Sequence, residues 1–204
     1  MRIGIAYDLK SDFKHDGPHP EDLFEEYDSE ETVDAIAAAL RAAGHEPIKL
    51  GGGRRFIERL QRAGHCIDLV FNIAEGRGSR SREAHVPAVC EMLGVPFTHS
   101  DPLTLALSLD KALCKRVVAS HGIPTAPFAL VETMDDLETA AIPAFPVIAK
   151  LDAEGSSMGV RRKSRCETRA ELLAQIGHLL VTYRQPVLVE RFLSGVETTV
   201  GILG

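Results

Sequence analysis

The chain has 204 residues, enough for one large domain or two small ones with buried cores. Apolar residues make up 45% and charged residues 25%, a globular balance that excludes disorder and fibrous repeats. The formal net charge of -6 argues against nucleic acid or a membrane surface as partner, because both are polyanions.

Neither an export signal nor a membrane helix is expected. Asp8 and Asp12 fall where a signal peptide needs an apolar centre, and no apolar stretch approaches the ~20 residues of a membrane helix. The four cysteines lack C-x-x-C spacing, which favours free thiols in a reducing cytoplasm over disulfides or a metal site.

The first hundred residues alternate between strand-like and helix-like patterns. Strands are predicted at residues 1–7, 45–50, 67–73 and 95–98. Helices are predicted from Asp28, as N-cap with Glu31 as its capping-box partner, to Gly44, around residues 56–60, and over 83–93. This alternation predicts a Rossmann-like parallel sheet, with ligands beyond its carboxyl edge, where Tyr7-Asp8 and residues 72–78 lie.

The pattern changes near residue 100, where we place a domain boundary. Helices are predicted at residues 110–121, capped by Asp110, at 133–140 and at 167–180. Strands are predicted at residues 127–131, 145–150, 159–162, 186–192 and 197–203. The last strand has no predicted neighbour, which indicates a chain that stops within a domain; an edge strand on a finished small domain is the alternative.

Several elements of the second half together suit a nucleotide. An apolar strand ends in Lys150, and the Gly/Ser loop, residues 154–160 (EGSSMGV), follows it. Glycine and serine allow backbone N–H groups to approach a phosphate, and a lysine adds charge. A later strand ends in Glu190, with Glu197 seven residues beyond it for a ribose. Each element alone reads equally as a hairpin or a solvated lysine, and no Walker loop or dinucleotide fingerprint is present.

Taken in order, these runs resemble the ATP-grasp ligases, and most closely the D-alanine–D-alanine ligase family, over essentially the whole chain. The matching runs are DLVFN (68–72), LGVPFT (93–98), LDKALCK (109–115), GIPT (122–125), FPVIAK (145–150), EGSSMGV (154–160) and VERFLSGVE (189–197). The resemblance implies an α/β fold: a Rossmann-like pre-ATP-grasp domain (1–100), an ATP-grasp N-terminal lobe (101–190) and the start of a C-terminal lobe (191–204).

The resemblance also implies residue roles and a reaction. Mg-ATP would phosphorylate a carboxylate, and an amine would attack the acyl phosphate, chemistry that rests mainly on positioning and cationic screening. The closing loop would also exclude water from the acyl phosphate. The implied roles are phosphate contacts for Lys111 and Lys150, loop closure for Glu154, Ser156 and Ser157, the adenine pocket for Glu190 and Leu193, and ribose binding for Glu197.

Two departures leave the substrates open, D-alanine included. The family's His-Gly step is Glu75-Gly76 here, so Glu75 either pairs with a substrate ammonium or is a solvated carboxylate. The family's Gly-rich turn after the first strand is replaced by Tyr7-Asp8 and a long acidic insert. The charged run 77–83 either meets a substrate carboxylate or is a solvated loop before a helix.

The family's C-terminal lobe, with its magnesium ligands and transition-state arginine, has no counterpart before Gly204. We therefore expect the 204-residue chain alone to be incompetent for ligation. The resemblance implies ATP and Mg²⁺, a small amino-acid-like substrate, a cytoplasmic role in peptidoglycan biosynthesis and, from the family's habit, a homodimer. The alternatives are a non-catalytic nucleotide- or partner-binding module and a ligase for another amino acid or peptide.

Overall fold

A three-stranded parallel sheet organises the first part of the chain. The computed structural model describes residues 1–13 and 19–202. The strands β1 (Arg2–Ala6), β2 (Glu46–Lys49) and β3 (Leu69–Asn72) pair in the order β2-β1-β3. The helices α1 (Glu30–Ala42), α2 (Gly53–Ala63) and α3 (His85–Leu93) connect and cover them. The parallel sheet predicted from the alternating pattern is confirmed.

Two apolar clusters cover this sheet. Ile5 packs with Val33 and Ala37 in one cluster, and Phe56 packs with Val70 in the other. All of these side chains are almost completely buried. Burial on both sides is what a parallel sheet with crossover helices requires, and it explains the continuous apolar runs of its strands.

Two details of this half differ from the sequence predictions. The N-cap of α1 is Ser29, whose Oγ accepts from Thr32 N at 3.2 Å. Asp28 lies one residue before this cap, and its backbone exchanges hydrogen bonds with the loop after β1, at 3.0 Å to both Asp8 O and Lys10 N. The predicted strand 95–98 is only a bridge at Phe97, because Pro96 has no N–H to extend the ladder.

An antiparallel sheet organises the second part of the chain. Its strands are β4 (Phe128–Val131), β5 (Val147–Leu151), β6 (Arg165–Cys166) and β7 (Val187–Arg191), in the order β4-β7-β5-β6. The helix α6 (Arg169–Tyr183) covers one face, where Ile176 and Leu179 pack on Val147 and Val189. Thr168 and Glu171 form the capping box that starts α6.

Two further helices, α4 (Pro102–Leu109) and α5 (Lys111–Ser120), link the two sheets. The predicted cap of α5 is confirmed, since Asp110 Oδ1 accepts from Leu113 N at 2.8 Å. α4 is absent from the sequence predictions, although Asp101 before Pro102 is a clear N-terminal signal. The predicted helix 133–140 is a short 3₁₀ helix, Met134–Glu138.

Two predicted strands are wrong. Residues 159–162 form no strand. Gly159 ends a turn with a left-handed φ of +73°, a 3₁₀ helix begins at Arg162, and the strand begins only at Arg165. Residues 197–202 form no strand, because no described residue pairs with their backbone. Residue 203 lies outside the described part of the chain, as do residues 14–18 of the loop after β1.

All four cysteines are free thiols. Within residues 1–13 and 19–202, no helix has the length and apolar character needed to cross a membrane.

We expect Leu179→Ala to lower the free energy of unfolding by about 2–5 kcal/mol, because it opens a cavity between α6 and the antiparallel sheet. Val181→Ala, on the same helix at a side chain that is 78% exposed, is the matched control and should change it by less than about 0.5 kcal/mol. Urea denaturation measures both. Equal losses for the two variants would contradict the packing described here.

Candidate functional site

A carboxylate between two lysines lies on the face of the antiparallel sheet opposite α6. The register pairs Lys150 with Leu188 and Ile148 with Glu190, so Lys150 and Glu190 are diagonal neighbours on that face. Lys150 Nζ contacts one carboxylate oxygen of Glu190, and Lys115 Nζ lies 2.8 Å from the other. This Lys–Glu–Lys cluster therefore carries a formal charge of about +1, in a largely buried setting that favours an anionic ligand.

The two lysines keep Glu190 ionised. Burial alone would raise the pKa of Glu190, but hydrogen bonds from Lys115 and Lys150 outweigh burial and hold that pKa below its ordinary value. The Glu190 carboxylate is thus an acceptor at neutral pH, and it fixes both ammonium groups in place.

Lys115 is a site residue that sequence reasoning missed. It lies four residues after Lys111 on α5, and this spacing places both side chains on one face of the helix. Lys115 also donates to Thr125 Oγ1 at 2.8 Å. The i, i+4 lysine spacing was the available signal.

Lys111 connects α5 to the Gly/Ser loop. Its Nζ donates to the carbonyl of Glu154 and, at 3.2 Å, to the carbonyl of Asp152. Burial first, and then the positive charge of Lys150, lower the pKa of Lys111. Lys111 therefore contacts the start of the loop and is close enough to Lys150 for the two positive charges to repel each other.

The Gly/Ser loop is a tight turn with exposed serines. Ser156 and Ser157 have φ values of +44° and +58°, a left-handed conformation that costs roughly 1 kcal/mol or more per non-glycine residue. Backbone hydrogen bonds close the turn, from Met158 N to Gly155 O and from Val160 N to Ser157 O, both 2.9 Å. Ser156 and Ser157 are both exposed at the tip of the loop.

A buried arginine that sequence reasoning did not single out organises the base of this loop. Arg82 donates to Glu154 at 2.9 Å, to Glu26 at 2.7 Å and to the carbonyl of Ala153 at 2.8 Å. Glu154 also accepts from Gln185 Nε2 at 2.8 Å. Burial raises the pKa of Glu154, against the lowering effect of Gln185 and Arg82. Glu154 thus lies within a network rather than free at the loop tip.

Glu75 is half-buried at the carboxyl end of the parallel sheet. Burial first, and then the charges of Glu83 and Glu26, raise the pKa of Glu75 to about 7. These carboxylates border a cavity of about 410 Å³. Nearby, Asp8 Oδ2 accepts from Gly76 N at 2.8 Å and ties together the loops that follow β1 and β3.

Some side chains of the charged run 77–83 are exposed to solvent and others are buried. Arg80 is largely exposed and pairs with Asp110 at 3.1 Å, Arg77 stacks on Phe13, and Arg82 is buried. Arg77 and Arg80 line a cleft of about 590 Å³. The cleft thus offers cationic groups beside the base of the Gly/Ser loop.

Leu193 and Glu197 are not brought to the Lys–Glu–Lys cluster. Both lie on exposed chain after β7, and Leu193 is 67% exposed. Among the described contacts, neither touches Lys150 or Glu190. Their predicted adenine and ribose roles therefore stay predictions.

Known proteins similar to this chain were found in sequence and in fold. Residues 117–204 match the family model "D-ala D-ala ligase C-terminus". The chain is 34% identical over 182 residues to the uncharacterized protein y4sG of Sinorhizobium fredii, covering 84% of this chain and 52% of that protein. It is 35% identical over 170 residues to the D-alanine–D-alanine ligase of Ectopseudomonas mendocina, covering 83% and 52%.

The fold matches solved structures over nearly the whole chain. The D-alanine–D-alanine ligase of Bacillus anthracis superposes with a TM-score of 0.68 at 21% identity, covering 96% of this chain and 58% of that one. The same ligase complexed with ATP gives a TM-score of 0.64 at 20% identity. At these identities the likeness shows the fold alone, which is that of the ATP-grasp enzymes.

The fold class is therefore ATP-grasp, as expected from the motif order. In sequence the chain is similar to D-alanine–D-alanine ligases, so the resemblance found in the sequence is confirmed. The chain spans about half the length of the curated relatives that it matches.

We expect Glu75→Gln to stabilise the protein more at pH 8 than at pH 5. In the folded chain the pKa of Glu75 is about 7 against an ordinary 4.5, so native stability is lost as pH rises between these values. Because Gln carries no charge, the variant should gain about 1–3 kcal/mol relative to wild type between the two pH values.

Denaturant unfolding at both pH values measures this gain. Glu91→Gln, at an exposed position on α3, is the control and should show no pH-dependent gain. A pH-independent difference for Glu75→Gln would show that Glu75 titrates normally.

Proposed function

We propose that this chain forms the nucleotide-binding and substrate-side parts of an ATP-dependent carboxylate–amine ligase. The observation that carries the proposal is the Lys–Glu–Lys cluster beside a Gly/Ser loop, on an ATP-grasp fold. Mobile, anionic phosphates need fixed cations and backbone donors, and this corner of the molecule supplies both.

The residue roles proposed for ATP binding are those that the resemblance implies, and the arrangement of charges supports the phosphate contacts. Lys150 and Lys111 contact the phosphates, and Lys115 adds a third cation. Glu190 orients Lys150 and accepts from the exocyclic amine of adenine. The exposed hydroxyls of Ser156 and Ser157 lie at the tip of the loop that would cover the phosphates. Leu193 and Glu197 would complete the adenine and ribose contacts only after residues 193–197 move toward the cluster.

The proposed reaction has two steps. A substrate carboxylate oxygen attacks the γ-phosphorus of ATP, the bond to the β-phosphate oxygen breaks, and ADP leaves. The amine of a second substrate then attacks the acyl carbon, inorganic phosphate leaves, and the amine proton is lost. Lysines that hold the phosphates accelerate the first step by positioning and charge neutralisation.

The resemblance also implies magnesium. No group of three or more His, Cys, Asp or Glu residues among residues 1–13 and 19–202 could hold a metal ion. We therefore assign no step of the reaction to a metal.

Lys150→Ala in the intact natural protein should lower ATP-dependent phosphate release by roughly a hundredfold or more, because the phosphates lose a fixed cation. Lys163→Ala, which removes an exposed lysine, is the matched control and should leave turnover unchanged. A phosphate-release assay measures both. Unchanged turnover of Lys150→Ala would rule out the role given to Lys150.

A ligase for substrates other than D-alanine is favoured by one observation. Glu75 occupies the family's histidine position, and its pKa of about 7 leaves it partly ionised at neutral pH, where it can pair with a substrate ammonium. Arg77 and Arg80 supply cations for a substrate carboxylate.

A panel of D- and L-amino acids in the phosphate-release assay tests this substrate proposal. Stimulation by an amino acid other than D-alanine, and its loss in Glu75→Gln, is the expected result. Stimulation by D-alanine alone would contradict it.

A further inference from the structure

The acidic insert before α1 packs onto the Gly/Ser loop. Residues 19–28, which we call the strap, form a series of turns closed by backbone hydrogen bonds such as Leu23 N to Pro20 O at 3.2 Å. Two carboxylates of the strap, Asp22 and Glu26, reach across more than 120 residues of sequence to the loop.

Each strap carboxylate takes a backbone donor of the loop. Glu26 Oε1 accepts from Gly155 N, and Asp22 Oδ2 accepts from Gly159 N at 2.9 Å. Both side chains are deeply buried, with 4% and 7% of their surface exposed. A Cβ at residue 155 would lie 2.7 Å from Glu26 Oε1, so this close approach depends on glycine.

Two arginines and a tyrosine complete these contacts. Arg82 lies 2.7 Å from Glu26, while Arg161 at 2.8 Å and Tyr183 OH at 2.7 Å bind Asp22. Burial would raise the pKa of Asp22, but the Gly159 and Tyr183 hydrogen bonds and the Arg161 charge outweigh it and hold that pKa low. Asp22 therefore anchors the strap as an ionised, hydrogen-bonded carboxylate.

The Glu26 carboxylate occupies a place that suits a phosphate. A carboxylate oxygen and a phosphate oxygen accept from the same donors, here a backbone N–H and a guanidinium. If Glu26 leaves, Gly155 N–H and one face of the buried Arg82 become available to an anion. While Glu26 stays, its charge and that of Glu154 repel one.

We propose that the strap is an autoinhibitory contact, in which Glu26 occupies the loop donors that nucleotide phosphates use and must leave before nucleotide binds. This inference rests on the nucleotide role proposed above for the same loop. Asp22 anchors the strap to Gly159, Arg161 and Tyr183, so that Glu26 returns to Gly155 when the nucleotide dissociates.

Calorimetric titration of the intact natural protein with AMP-PNP and MgCl₂ tests the strap. We expect Glu26→Ala to lower the Kd roughly tenfold, because a charged competitor for the phosphate donors is removed. Glu21→Ala, an exposed residue of the same segment with the same charge change, is the matched control and should leave Kd unchanged. An unchanged or weaker affinity of Glu26→Ala overturns the proposal.

Hydrogen exchange of the wild-type protein gives a readout that does not depend on any variant folding. On adding AMP-PNP, amides of residues 19–28 should exchange faster while those of 154–160 become protected. Protection of the loop without faster exchange of the strap overturns autoinhibition but leaves the nucleotide site intact. Absence of AMP-PNP binding in wild type, Glu26→Ala and Glu21→Ala overturns both the strap and the proposed function.

Discussion

The buried guanidinium of Arg82 is the constraint on which the arrangement of the site depends. It lies between Glu26 of the strap and Glu154 of the Gly/Ser loop and also binds the carbonyl of Ala153. Removing a guanidinium from water is costly unless it is paired and hydrogen-bonded, and here two carboxylates and a carbonyl accept hydrogen bonds from it. One side chain thus joins the parallel-sheet half of the chain to the loop that follows β5.

The Lys–Glu–Lys cluster on the antiparallel sheet is positioned by strand register and by the helical repeat. Strand register places Lys150 beside Glu190, and the helical repeat of α5 brings Lys115 to the other carboxylate oxygen. The carboxylate keeps two ammonium groups close despite their mutual repulsion, with one positive charge left over for a ligand. The strap and the cluster therefore place opposite charges near one loop, negative below it and positive on the adjacent sheet.

The long apolar strands and amphipathic helices were predictable because their periodicity reflects burial that each element needs for itself. The secondary-structure predictions were wrong where the local conformation depends on residues that are distant in sequence. Gly159 adopts a left-handed turn beside Asp22, Asp28 pairs with the loop after β1 rather than capping α1, and residues 197–202 have no partner strand among those described. In each case, local propensity was outweighed by a contact, or by a missing contact, that lies far away in sequence.

The sequence by itself determined the fold class and most candidate site residues, because motif order and spacing along the strands and the Gly/Ser loop are local properties. Lys111, Lys150, Glu154 and Glu190 were all identified from such runs. Only the tertiary structure decided which charges neutralise which. Arg82, Lys115 and the strap carboxylates became visible once residues distant in sequence were brought within hydrogen-bond distance. Charge pairing depends on distance and burial in space, which no sequence spacing encodes across 70 or 130 residues.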